Sequence, residues 1–146
     1  MDRFEEFLKN LGQVINVPLH PDKHRACLLN INNVLRVQLE FDEKKDRILI
    51  AAFVSDVSAG KFRENILKEA LKANTLYPRV GTLAYSERNN QLALFEYGYF
   101  PYLIPEKMAD LLSQFIQRAD AWRTAIQSGQ PAPSGETASK PTSVFR

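Results

Sequence analysis

Three features of the sequence predict an α+β fold, a twisted antiparallel sheet with helices packed on it. Apolar residues recur at helical spacing in some segments and at every second position in others. The links between the first three strand-like segments are too short for crossovers. Helices and strands also lack the one-for-one alternation of a parallel α/β protein. The predicted order is helix, three strands, helix, two strands, helix. A chain of 146 residues suits one domain that buries roughly two thirds of its unfolded surface.

Phe4, Phe7, Leu8, Leu11, Val14 and Ile15 mark the first helix, over residues 3–15, with Asp2, Glu5 and Glu6 at the positive end of its dipole. Pro18 and Pro21 make the following segment a loop. The period then changes to two. Cys27, Leu29 and Ile31 alternate up to a tight turn at Asn32-Asn33, and Leu35, Val37, Leu39 and Phe41 alternate beyond it. After the charged turn at residues 42–46, a third strand over residues 47–54 is apolar on both faces. Ile48, Ile50 and Val54 can join Leu35, Val37 and Leu39 in a core, which sends Leu49, Ala51 and Phe53, with Leu28 beside them, to the opposite face. That second face needs a cover.

Phe62, Ile66, Leu67, Ala70, Leu71 and Ala73 predict a second helix over residues 61–76, with Ser58 available as its cap and Tyr77-Pro78 as its stop. Residues 81–86 and 91–97 flank an Asn-rich charged turn and read as a hairpin. Pro105 opens the last helix, whose stripe is Met108, Leu111, Leu112, Phe115, Ile116, Ala119, Trp122 and Ile126, and Gly129 is placed to end it. The folded domain is therefore expected over residues 1–126. Residues 127–146, with Pro131, Pro133 and Pro141 among Ser, Thr, Gln and Gly, are expected to be a disordered tail whose only large apolar residues are Val144 and Phe145.

Composition narrows the function. A single cysteine, Cys27, excludes an intramolecular disulfide, the acidic start is unlike a signal peptide, and no apolar run is long enough to span a membrane. A cytoplasmic protein without membrane insertion is expected. With 19 basic and 17 acidic residues the net charge is only +2, which gives little support to a nucleic-acid partner. His20, His24 and Cys27 have a ligand-like spacing, but three donors do not fill a structural zinc site, and Cys27 enters a strand as a small apolar residue. Both histidines share one loop, no carboxylate pair stands out, and the six glycines are scattered. No catalytic residues, metal or cofactor are therefore expected. Lys61, Arg63, Lys68 and Lys72 on the second helix are interrupted by Glu64 and Glu69 and read as a solvated face. The aromatic cluster Tyr97, Tyr99, Phe100 and Tyr102 suits either a gripping surface or a loop tucked over the last helix.

The element order, together with Leu71-Lys72-Ala73-Asn74, Gly81-Thr82-Leu83-Ala84-Tyr85-Ser86, Leu92-Ala93-Leu94, Pro105 and the closing Ala121-Trp122-Arg123, resembles the class I type III secretion chaperones, the Tir-chaperone or SycE-like family. The resemblance covers residues 1–126. It implies a homodimer without catalytic activity that binds the N-terminal region of secreted effectors in the bacterial cytosol, keeps it non-globular and presents it to the secretion apparatus and its ATPase. It also implies a dimer contact built from the second helix and the last two strands, here Ile66, Ala70, Ala73, Leu83, Tyr85, Leu92 and Leu94. Effector contacts are expected on the second sheet face at Leu28, Leu49 and Phe53, with a further groove on the first helix at Phe4 or Leu8. Members of that family are often acidic, whereas this chain is slightly basic. The competing reading is a nucleic-acid or regulatory module using the basic helix and the aromatic cluster, and a third is a small-ligand sensor on the same scaffold.

Overall fold

Residues 2–135 are described by a computed structural model. The elements follow in the order α1 (Arg3–Ile15), β1 (Ala26–Ile31), β2 (Leu35–Asp42), β3 (Arg47–Asp56), α2 (Lys61–Ala73), β4 (Thr82–Ser86), β5 (Gln91–Tyr99) and α3 (Pro105–Gln127), with a 3-10 turn at Phe100–Tyr102. This is the predicted α+β order. The five strands form one antiparallel sheet in the order β1-β2-β3-β5-β4. The hairpin is therefore inserted with its longer strand inward. β5, apolar on both faces, occupies a central place beside β3, and the short β4 takes the edge, which keeps the row of unpaired backbone groups there short.

α1 and α3 pack against each other, and α3 lies along β3. Their apolar stripes close the inner face of the sheet: Phe4, Leu8 and Leu11 from α1 and Phe115, Ala119 and Trp122 from α3 meet Leu39, Ile48, Ile50 and Leu94 in one core. Asp2 caps α1 by accepting from the Glu5 N–H at 2.8 Å, and Asn16, at φ 61°, ends it. Gly12 lets the next loop lie against the helix, since a Cβ there would sit 2.6 Å from the Val17 carbonyl oxygen. Val14, placed on the apolar stripe by its spacing, is exposed instead. Asn32 and Asn33 both have positive φ in the β1–β2 turn, as their sequence suggested.

β3 runs two residues further than predicted, with a bulge between Phe53 and Ser55. α2 starts at Gly60 as its cap with no side-chain bond, so Ser58 does not serve, and it stops at Ala73, short of residue 76. The reason for the early stop is Asn74. Its side-chain amide donates to the Leu83 carbonyl at 2.8 Å and its oxygen accepts from the Leu83 N–H at 2.9 Å, so the side chain mimics a strand partner on β4. α3 ends in a Schellman motif: the Gly129 N–H donates to Ile126 and the Gln130 N–H to Ala125, with Gly129 at φ 88°. The helix thus includes Gln127, and Ala132 still packs on the core, so ordered chain continues past residue 126. Residues 136–146, including Val144 and Phe145, lie outside the described residues.

The aromatic cluster is not one loop. Tyr97 and Tyr99 continue β5, because the period-two alternation persists with Gly98 facing inward against Leu103. Phe100 turns inward to meet Phe41 and Phe7 at 5.0 and 5.3 Å, while Tyr99 and Tyr102 stay outside as a pair.

Candidate functional site

The outer face of the sheet carries the side chains that β1, β2, β3 and β5 direct away from α1 and α3. Cross-strand registers set Leu28, Gln38, Ala51, Phe95 and Thr82 in one row, and Glu40, Leu49 and Tyr97 in the next. Phe53 lies opposite Ala93, which lies opposite Ala84. Leu28 and Phe53 are 58% and 52% exposed, and Leu49 is half-buried. These three residues, expected from the sequence to share a face, do share it. Leu28 and Phe53 border a shallow hollow of about 240 Å³ together with Arg36, Gln38 and Phe95. Phe95 was missed, although the alternation of Leu92 and Leu94 with Ala93, Phe95 and Tyr97 places it there.

One border of this face is an open strand edge. The Phe41 N–H donates to the Arg25 carbonyl, which fixes the phase of the β1–β2 ladder. Cys27, Leu29 and Ile31 therefore turn their backbone groups toward β2, and Leu28 and Asn30 turn theirs outward, where no strand of the described residues lies beside β1. The opposite edge differs, because Asn74 occupies both backbone groups of Leu83. At the end of the face near the 3-10 turn, the Arg47 guanidinium sits 3.7 Å from the Tyr97 ring and bonds Asp42 at 3.3 Å.

Phe4 and Leu8 are elsewhere. Both are completely buried, and Phe4 stacks on Phe41 at 5.4 Å, so neither offers surface to a partner of the single chain. Their helical stripe is simply the core-facing stripe of α1. A groove of about 620 Å³ does run along α1, but it is lined by Lys9, Gly12, Gln13, Val17, Pro18 and Leu19 among others. The residues expected at a dimer contact also turn inward. Ile66, Ala70, Ala73, Leu83, Leu92 and Leu94 are buried in the chain's own core where α2 leans on β4. Tyr85 is half-buried and donates to Asn90 at 2.6 Å while accepting from Arg63 at 2.9 Å. On the outside of the same flank stand Leu71, 70% exposed, and Tyr77.

The loop holding His20 and His24 is organised by Asp22, whose carboxylate accepts from the His24 and Ala26 N–H groups at 2.7 and 3.1 Å. Those bonds, the one from Ala26 foremost, hold its pKa below the usual value. Cys27 lies in the core, and burial pushes its thiol up. Among the described residues no group of three or more His, Cys, Asp or Glu is placed to hold a metal, and no helix is long and apolar enough to cross a membrane. The cations of α2 do not gather into a patch: Lys61 pairs with Glu64, Lys72 with Glu69, and Arg63 is held by Tyr85 and Asn90.

Comparison of the sequence with curated proteins finds no match. Several solved structures share the fold. The HopA1-SchA chaperone-effector complex contains a chain with a TM-score of 0.68 and 18% identity, covering 84% of this chain and 94% of that one. The ExsC-ExsE complex gives 0.66 and 17%, covering 92% and 99%. The Yersinia pestis type III secretion chaperone SycH, solved with a stable fragment of YscM2, gives 0.64 and 13%, covering 80% and 96%. The model of the Tir chaperone protein (CesT) family matches residues 6–123, and the chain belongs to that family.

Proposed function

We propose that this chain is a type III secretion chaperone that binds the N-terminal region of a secreted effector in the bacterial cytosol, holds it non-globular and presents it for secretion. Family membership supplies the class of activity. The observation that carries the reading at residue level is the apolar outer face, where Leu28, Leu49, Phe53 and Phe95 lie together with no helix of the described residues over them. Covering a large apolar side chain is worth about 1.5–3 kcal/mol. An extended client strand laid along β1 would add main-chain hydrogen bonds to the outward groups of Leu28 and Asn30. The groove along α1 gives the client a second place to rest. Such a role needs no catalytic group.

A homodimer follows from the same family likeness, and Leu71 and Tyr77 on the outer flank of α2 are the apolar side chains available to it. The buried set from Ile66 to Leu94 then acts by fixing α2 on β4 and β5 rather than by touching the second copy. Handover to the ATPase of the secretion apparatus completes the proposed cycle. The test is purification of the tagged full chain from its source bacterium, with light scattering and mass spectrometry. The expected result is a dimer holding a protease-protected segment from the N-terminal region of a secreted protein. A monomer that retains no secreted protein contradicts the reading.

A further inference from the structure

The charges around the outer face are distributed unlike those on the rest of the chain. Most arginines are engaged: Arg3 with Asp46, Arg25 with Asp2, Arg47 with Asp42, Arg63 with Tyr85 and Asn90, and Arg79 and Arg118 with backbone carbonyls. The side chains of Arg36, Arg88 and Arg123 bond to no other described residue. Arg88 stands in the turn between β4 and β5. The other two border depressions that meet at Phe53. Arg36 lines the hollow shared with Leu28 and Phe95, and also a smaller one shared with Val34. Arg123 lines a cleft of about 800 Å³ with Phe62 and Ile126. Asp56, which lines the same cleft as Arg123, already accepts from Gln91 at 2.7 Å, and Glu40 on β2 accepts from Gln38 at 3.3 Å.

We propose that this surface selects a client segment whose sheet-facing side chains include both carboxylates and apolar groups, Arg36 and Arg123 each taking a carboxylate while apolar groups cover Leu28 and Phe53. The physical reason is desolvation. An apolar segment laid over Phe53 removes water from both neighbouring guanidinium groups, and a cation stripped of water without a counter-charge opposes binding. An acidic residue at that place restores the lost interactions with charge-assisted bonds, and a basic one adds repulsion. An extended segment sends every second side chain to one side, so a carboxylate and an apolar group that both meet this surface stand two residues apart. This selectivity rests on the outer face being the client site, and the test separates the two ideas.

Three synthetic peptides of equal length, in which every second residue is in turn leucine or valine and then glutamate, glutamine or lysine, with serine between them, are titrated into the full chain and followed by fluorescence anisotropy at low and moderate salt. The glutamate peptide is expected to bind about tenfold more tightly than the glutamine peptide, with lysine weakest and the gap narrowing as salt screens it. Arg36→Gln and Arg123→Gln should each weaken the glutamate peptide about threefold and leave the glutamine peptide unchanged, with Arg88→Gln as the silent control. Phe53→Ala should weaken all three. Glutamate and glutamine peptides that bind alike, with Phe53→Ala weakening both, overturn the charge selection and leave the docking face standing. No binding by any peptide, or binding indifferent to Phe53→Ala, overturns both.

Discussion

The two faces of one sheet meet different fates. The inner face, with Leu39, Ile50 and Leu94, is sealed under α1 and α3. The outer face, built from the same strands and often from the adjacent residue, leaves Leu28 and Phe53 more than half exposed. β3 shows the contrast within one element: Ile50 and Ala52 are buried, and Phe53 between Ala52 and Val54 is not. A strand that is apolar on both sides is normally covered on both sides. The helices of the described residues cover one, and the other is the face proposed for the client.

The largest test of that contrast is truncation on the sealed side. Ile50→Ala should cost about 2–5 kcal/mol in denaturant unfolding, because a completely buried side chain leaves a cavity among packed neighbours. Phe53→Ala should stay within about 0.5 kcal/mol of the parent while reducing client binding, since the free chain has little to lose there. Equal costs at the two positions would erase the distinction.

The sheet edges repeat the asymmetry. Asn74→Ala removes both bonds to Leu83, whose side chain is buried, and should cost about 1–3 kcal/mol. Replacing Leu28 or Asn30 by alanine on the open β1 edge should leave unfolding nearly unchanged. A smaller contrast separates two glycines. Gly12→Ala drives a Cβ against backbone at Val17 and should cost about 1–3 kcal/mol, whereas Gly98→Ala meets only the end of the Leu103 side chain, which can swing aside. Equal melting temperatures for the two alanine variants would contradict the account.

The smallest effect is that of pH. The bond from the Glu5 N–H, with Arg25 nearby, holds the Asp2 carboxyl below its ordinary value of 3.8. A depressed carboxyl contributes stability that is present above that ordinary value and lost as pH falls through the lower folded one. Asp2→Asn should therefore flatten the acid limb of an unfolding profile below about pH 4, without changing its slope near neutrality. An acid limb identical to the parent's would exclude a role for this cap.

The sequence made the elements legible because periodicity is local. The alternation in β3 alone assigned Leu49, Ala51 and Phe53 to one side and Ile48, Ile50 and Val54 to the other, and the coordinates keep that division. It did not identify what fills each side. Phe4 and Leu8 formed a stripe that is the signature of core packing, yet they were also assigned to a groove, and packing against Phe41 and Leu39 claims them. Ile66, Ala70 and Leu83 likewise satisfy each other within the chain. The fragments around Asn74 and Leu83 were visible as motifs, but a side chain acting as a strand partner nine residues away leaves no periodic trace. Arg36 and Arg123 could not be singled out, because what distinguishes them is that their side chains have no partner among the described residues.

The central claim is that the outer face is covered by a client. It is tested most directly by carbene footprinting of the full chain, alone and with its co-purified secreted segment bound, read residue by residue with mass spectrometry. The account expects labelling to fall at Leu28, Phe53 and Phe95 on client binding, while Leu71 and Tyr77 label alike in both states. Unchanged labelling across the sheet, with protection confined to another surface, would contradict it.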